Sequence, residues 1–494
     1  MNFHPISKNT PLRTTLGVAI ALSFAGCASL SPDAGFKDVQ TLSAARFEQR
    51  VQWNRSPEDD RAAAELTQSL LVKPLTADSA VQIALLNNRG LQATYGELGI
   101  AQAEVVSAGR LANPLVSGQR WSKGESFKSE IGIEFNFLSL LLLPKKLQMM
   151  KTNFEYAKLR VADEAVRTAA EARSQYYRAL GVQQTVALQQ ATVASAEAAA
   201  ELAARQYNAG NLNLKKQVRH QVFYAESLSQ LARTRQLAFN EREKLNRVMG
   251  LWGTRTDWKL PDRLPEVPAA RPRYDNLEAL ALEQRLDVQA AKQEMQVLAE
   301  RLGITNATRF IETLAVGYGV LSESDAPRRF GPSIEFELPI FDQGTGRVAR
   351  DDARLRQGAE RLAELAINVR SEVREKYNDL LSSYDQVAHW QKAVVPLRRK
   401  ILAQTQLSYN GMLEGIYDLL DSYRENLRTG QSVIDAVKEY WTAHAELGRS
   451  VGGRLPAPAP TEPASSPDAK PQQEKPAADS AQPGSRAATD RDRS

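Results

Sequence analysis

The sharpest chemical signal in the chain is a pair of aspartates three residues apart. In Tyr417-Asp418-Leu419-Leu420-Asp421 the i, i+3 spacing puts both carboxylates on one helix face. The positions 202 residues earlier hold Lys216 and Arg219, so the same face is basic in one place and acidic in the other. Such faces form ion pairs between segments; they break no bonds. Other candidate chemistry is sparse. His220, His389 and His444 are scattered, without metal-ligand spacing. No nucleophile lies near a base in the sequence. Phe341-Asp342-Gln343-Gly344-Thr345-Gly346 has the outline of a phosphate-cradling turn, but Ala349 stands where a third glycine belongs and no βαβ units follow. The sequence therefore points to no catalytic centre, no cofactor and no metal site.

The elements that must position the charged faces are duplicated. Ile133-Glu134-Phe135 returns 201 residues later as Ile334-Glu335-Phe336, and Tyr207-Asn208 returns as Tyr409-Asn410. A repeat of this size means two copies of one structural unit packed side by side. Each copy holds an amphipathic helix, two short alternating segments, and a very long helical run followed by a return helix. Residues 145–208 contain no proline and one glycine, Gly181, and as one helix would span ~96 Å. The second run, 347–410, has Gly358 and Pro396 as its only breakers. Ala187, Ala191, Ala194 and Ala198 recur at helical spacing, a seam that allows close helix packing. Return helices at 214–249 and 416–447 predict two antiparallel hairpins with tips at 208–213 and 410–415.

The short segments alternate strictly. Over 129–137, Ile131, Ile133, Phe135 and Phe137 oppose Glu130, Gly132, Glu134 and Asn136. Over 333–340, Ile334, Phe336, Leu338 and Ile340 oppose Glu335 and Glu337, while 313–321 and 115–121 supply two more segments. Lengths near nine residues with one apolar face match transmembrane β-strands. Four strands cannot close a barrel, and an open edge cannot sit in hydrocarbon, so several chains must share one barrel. Three chains would give about twelve strands and a channel. Glu130, Glu134, Glu335 and Glu337 would line its lumen.

The ends frame this reading. Lys8 and Arg13 precede the apolar run 16–24, an export signal too short to span a membrane. Phe24-Ala25-Gly26-Cys27 resembles a lipobox, which implies cleavage before Cys27 and lipidation of its thiol; an incidental cysteine after an ordinary signal is the alternative. Cys27 is the only cysteine, so no internal disulfide forms. Residues 453–494, rich in Pro, Ala and Ser, form a tail too polar to pack. Net charge is +5 with both signs interspersed on helices, which argues against a nucleic-acid surface.

Taken together, the chain resembles the TolC-type outer-membrane efflux proteins, the outer membrane factor family. The resemblance covers residues 75–452. It rests on Ala84-Leu85-Leu86-Asn87-Asn88 with Leu91-Gln92-Ala93, echoed by Gln284-Arg285-Leu286-Asp287-Val288-Gln289-Ala290, on Asn113-Pro114, and on Tyr207 to Gly210 at a helix turn. It implies a mainly α fold with a small membrane β part: tandem helical hairpins plus four strands per chain, a homotrimer with a trimeric α-barrel, and a shared 12-stranded barrel. It also implies docking onto a periplasmic adaptor and an inner-membrane efflux pump through the tips, where Asn208, Gly210, Leu212, Asn410, Gly411 and Gly415 lie. In this family an acidic ring on the second return helix closes the periplasmic end. Asp418 and Asp421 match it, with Lys216 and Arg219 as basic partners, unless these are ordinary solvated charges. The expected division is 1–26 signal, 27–75 anchor and equatorial segment, 76–249 first repeat, 250–275 equatorial linker, 276–452 second repeat, and 453–494 tail. Within the repeats the strands are expected at about 114–138 and 312–340 and the hairpins at 145–249 and 345–450. The family is not enzymatic. A periplasmic adaptor or structural coiled-coil lipoprotein is the competing reading, and it would carry one hairpin and no membrane strands.

Overall fold

The computed structural model describes residues 30–458, so the signal with Cys27 and nearly all of the tail lie outside the described residues. In the first pass, α1 (Phe36–Ala44), α2 (Pro57–Leu71), α3 (Ala77–Asn87) and α4 (Arg89–Ala108) lead into β1 (Leu115–Lys123) and β2 (Ser126–Asn136). The chain then runs through α5 (Phe137–Asn208) and returns in α6 (Leu214–Met249). The second pass repeats the order. α7 (Leu277–Gln284) and α8 (Leu286–Ala307) lead into β3 (Leu314–Glu323) and β4 (Ala326–Phe336), and α9 (Thr345–His389), α10 (Val395–Asn410) and α11 (Ile416–Val451) complete it.

α5 is longer than its composition predicts. It starts at Phe137 rather than 145 and carries Pro144 in its second turn, giving 72 residues and a length of ~108 Å. Pro144 lies past the first turn, so it removes the N–H that would bond the Leu140 carbonyl, and the helix continues through it. Its counterpart is interrupted. A π-turn over Trp390–Val394 separates α9 from α10, and Pro396 sits in the first turn of the new segment. The local widening accommodates a proline ring that a continuous α-helix would clash with. α6 packs along α5 towards the tip, α4 and α8 cover α5 towards the sheet, and α11 packs on both α5 and α9.

The expected alanine seam faces the other way. Ala187, Ala191, Ala194 and Ala198 are exposed, while Ala196, Ala199, Ala200 and Ala203 are buried. Both stripes have helical spacing; only the positions of α6 and α11 decide which one is covered. The sheet also departs from expectation at its last strand. β4 begins at Ala326 and ends at Phe336, which leaves Glu337, Leu338 and Ile340 outside it. Pro339 cannot donate to a ladder, and the segment turns away before it.

The equator is where both passes lock together. Gly250 follows α6 at φ 65°, and a Cβ there would stand 2.3 Å from the Asn87 carbonyl oxygen. Gly452 follows α11 at φ 105°, where a Cβ would stand 3.2 Å from Arg285 Cα. Each return helix thus ends in a left-handed glycine pressed onto the kink between the two helices that open its repeat. At the first kink Asn88 Oδ1 accepts from the Leu91 N–H at 3.0 Å, and its amide donates to the Val248 carbonyl at 2.9 Å. The linker after Gly250 is tied down by bonds to its polar groups. Trp258 Nε1 donates to Asn246, Trp441 Nε1 to the Pro265 carbonyl, and Tyr384 Oη to the Ala269 carbonyl. The N-terminal segment is held by Lys158, whose buried stem carries its ammonium to Asp38 at 2.6 Å.

Candidate functional site: amphipathic sheet and helical tips

The four strands form one antiparallel sheet in the order β1-β2-β3-β4. Register places Ile131 opposite Val320, Ile133 opposite Tyr318 and Phe135 opposite Val316. It also places Val116 opposite Ile133, and Phe336, Ile334, Pro332 and Phe330 opposite Leu314, Val316, Tyr318 and Val320. Directly opposed residues share a face, so one side of the sheet is almost continuously apolar. Its members are exposed in the single chain, Ile131 at 60%, Ile334 at 69% and Phe330 at 62%. The other side carries Glu130, Glu134 and Glu335 beside Gly132, Gly317 and Gly331. Glu337 lies past the strand, joined only by an N–H to Thr313 carbonyl bond of 3.4 Å. β1 and β4 each have one unpaired edge.

At the far end the two tips share a turn but not its residue. Gly210 takes φ 77° in the first tip; in the second the equivalent position is Met412, a non-glycine at φ 61°. Met412 and Leu413 are 94% and 83% exposed. Asn208, Gly210, Asn410, Gly411 and Gly415 are also exposed, with Leu212 half-buried. Asn213 caps α6, its side chain accepting from the Lys216 N–H at 2.9 Å.

Within one chain the four expected gate charges do not meet. Asp418 caps its own helix, accepting from the Gly415 N–H at 3.0 Å, and Asp421 pairs with Arg424 at 2.7 Å. Lys216 and Arg219 are exposed on α6. The physical reason is proximity: an i, i+3 partner is already within reach, and a partner across the tip is not. What joins the hairpins is a set of residues that sequence patterning did not single out for this role. Tyr417 Oη donates to Gln206 Oε1 at 2.6 Å, and its ring stacks on His220 at 4.4 Å. The Arg424 guanidinium lies 3.7 Å above the Phe223 ring and 3.5 Å from His220 Nδ1. Burial, with Arg424 and Arg219, holds His220 below the usual imidazole value, and Asp421 opposes this. The one available signal was Arg424 three residues after Asp421.

A second charged cluster sits at the equator. Arg285 pairs with Asp287 at 2.8 Å and with Glu372 at 2.7 Å, and donates to the Ser450 carbonyl at 3.0 Å. Burial, then Asp287, pushes the nearby Asp163 carboxyl up to about 6 against the pull of Arg285 and Arg449. Burial and Arg173 push His444 down to about 4. Arg285 thus ties the α7–α8 kink to α9 and α11. Among the described residues no cluster of His, Cys, Asp or Glu could hold a metal ion, and no helix is long and apolar enough to cross a membrane.

No protein-family model matches the chain. It is 21% identical over 397 residues to the cobalt-zinc-cadmium resistance protein CzcC of Cupriavidus metallidurans, covering 77% of this chain and 90% of that protein. Among solved structures it superposes on the Campylobacter jejuni CmeC outer membrane channel with a TM-score of 0.66 at 13% identity, covering 84% of this chain and 91% of that one. The outer-membrane channel OprN gives 0.65 at 17% identity, covering 84% and 95%, and CusC gives 0.64 at 16%, covering 76% and 92%. Tandem long hairpins joined to a small antiparallel sheet are thus the architecture that this chain shares with these outer-membrane channels.

Proposed function

We propose that the protein is the outer-membrane channel of a tripartite efflux system. The observation that carries this reading is the four-stranded sheet with one apolar face, one acidic and glycine-rich face, and two unpaired edges. Hydrocarbon tolerates no unpaired edge, so β4 of one chain pairs with β1 of the next, and three chains close a 12-stranded barrel. The exposed stripe Ala187, Ala191, Ala194 and Ala198 then has a partner, the neighbouring chain's helices. The adaptor alternative accounts for neither the sheet nor the second hairpin.

In this assembly Glu130, Glu134 and Glu335 line the outer pore, and the tips form the periplasmic gate. The Tyr417, His220, Gln206 and Arg424 contacts hold each second tip against the first. Asp418 and Asp421, free of cross-tip partners within a chain, meet Lys216 and Arg219 of the adjacent chain. The exposed Met412 and Leu413 dock an adaptor, which in turn meets an inner-membrane pump. Cys27 carries a lipid anchor. The role is passive, with no catalytic step. The name of the curated relative favours divalent metal cations as cargo, and the acidic lumen suits them. The test is fractionation and electrophysiology: a heat-modifiable trimer in the outer membrane that conducts cations in planar bilayers is expected. A soluble, non-conducting protein refutes the proposal.

A further inference from the structure

The apolar face of the sheet does not stop at the strand ends. It continues into the first turns of α5 through Phe137, Leu140 and Leu141, exposed at 40%, 46% and 56%, and into Leu111, at 57%, ahead of β1. Immediately below this collar stand three exposed cations, Arg110, Lys145 and Lys146. They belong to one patch: a Cβ on Gly109 would lie 3.4 Å from Leu147 Cδ1, which brings the residue before Arg110 against the residue after Lys146. No acidic residue occurs between 105 and 124 or between 137 and 154. None of the three has an ion-pair partner among the described residues.

The second repeat supplies an internal control. Its junction is also apolar, with Phe310, Ile340 and Phe341 exposed at 53%, 68% and 100%. Its cations, however, are used within the fold. Arg309 donates to the Gln343 carbonyl at 3.2 Å and lies over Phe310, while Arg347 pairs with Glu312 and donates to the Arg309 carbonyl. Arg347 is the 201-residue counterpart of Lys146. The same place in a duplicated fold thus holds cations bonded within the fold in one copy, Arg347 to a carboxylate and Arg309 to a carbonyl, and cations without an ion-pair partner in the other.

We propose that the first-repeat junction binds the phosphate headgroup of an anionic phospholipid in the periplasm-facing leaflet, with an acyl chain over Leu111, Leu140 and Leu141. This rests on the membrane reading of the sheet. Long basic side chains below an apolar collar carry their charge to the headgroup level, and a cluster of them selects anionic over zwitterionic lipid. Three copies per trimer give three such sites around the barrel.

The full-length protein is reconstituted into vesicles of equimolar phosphatidylglycerol and phosphatidylcholine, re-extracted, and its retained lipid measured by native mass spectrometry. The wild type should retain phosphatidylglycerol about tenfold over phosphatidylcholine. Arg110→Gln/Lys145→Gln/Lys146→Gln should abolish the preference, and Arg110→Lys/Lys145→Arg/Lys146→Arg should restore it. Arg309→Gln, at the second junction, should leave it unchanged. Conductance in pure phosphatidylcholine bilayers is recorded on the same samples. A conducting wild type without lipid preference, or a glutamine variant that keeps it, overturns the lipid site alone. A wild type that inserts into neither membrane overturns the membrane reading as well.

Discussion

Replacing Tyr417 with alanine should make the closed channel leak. The side chain gives the second tip two of its contacts with the first: the 2.6 Å hydrogen bond to Gln206 and the 4.4 Å stack on His220. A net hydrogen bond contributes ~1 kcal/mol and an aromatic pair a further ~0.5–1.5, so truncation removes ~2 kcal/mol per chain. That shifts the open-to-closed ratio of one tip by about 30-fold, and if the three tips of a trimer move together the factors multiply to about 3 × 10⁴. Arg424 would still rest on Phe223, so the tip is loosened rather than unfolded. The assay is single-channel recording of the purified protein in planar bilayers, with Tyr417→Phe alongside. Phe keeps the ring and loses the hydroxyl, and should fall between wild type and alanine. A Tyr417→Ala channel with wild-type conductance and dwell times would show that these contacts do not hold the pore shut.

The tips should also respond to acid. His220 is held below its ordinary value, so its protonation is disfavoured in this arrangement of the tips. The contact is intact at neutral pH and weakens as pH falls below about 6.5. The groups facing His220 are Arg424 and Asp421 on α11 and Arg219 on its own helix. Conductance should therefore rise on acidification in wild type, and His220→Asn should flatten the profile; an unchanged profile counts against the cluster. At the equator the sign is reversed. Asp163 titrates at about 6 when folded, so its burial cost is absent below about pH 4 and full above 6. Asp163→Asn should stabilise the protein by ~2–3 kcal/mol at pH 7.5 and by nothing near pH 4, read by thermal melting in detergent. Gly250→Ala should cost more than ~3 kcal/mol, because the methyl meets the Asn87 carbonyl and φ is positive; a soluble, unshifted melt would contradict the packing. Met412→Gly should relieve ~1 kcal/mol of backbone strain while weakening adaptor capture, measured by pull-down with the cognate adaptor.

The sequence by itself determined the duplication, the hairpins and the strand faces. Periodicity is local, and the alternation at Ile131, Ile133 and Phe135 or the proline-free run to Asn208 needs no tertiary information. It also predicted Glu130, Glu134 and Glu335 on one face, because a strand's period of two admits no other outcome. Boundaries were less legible. Pro144 did not end a helix although it removes an interior hydrogen bond, and Pro396 was absorbed by a π-turn. Only the tertiary structure decided which of two alanine stripes is covered, because equal helical spacing leaves the choice to the position of α6 and α11. It alone decided the tip contacts as well. Asp418 and Asp421 read as partners for Lys216 and Arg219, yet a nearer Arg424 and a free N–H at Gly415 take them first. Tyr417 meets Gln206 and His220, each more than 190 residues away in sequence, only because two repeats fold back along one axis. Charge and spacing are written in the chain; adjacency is a property of the packed hairpins.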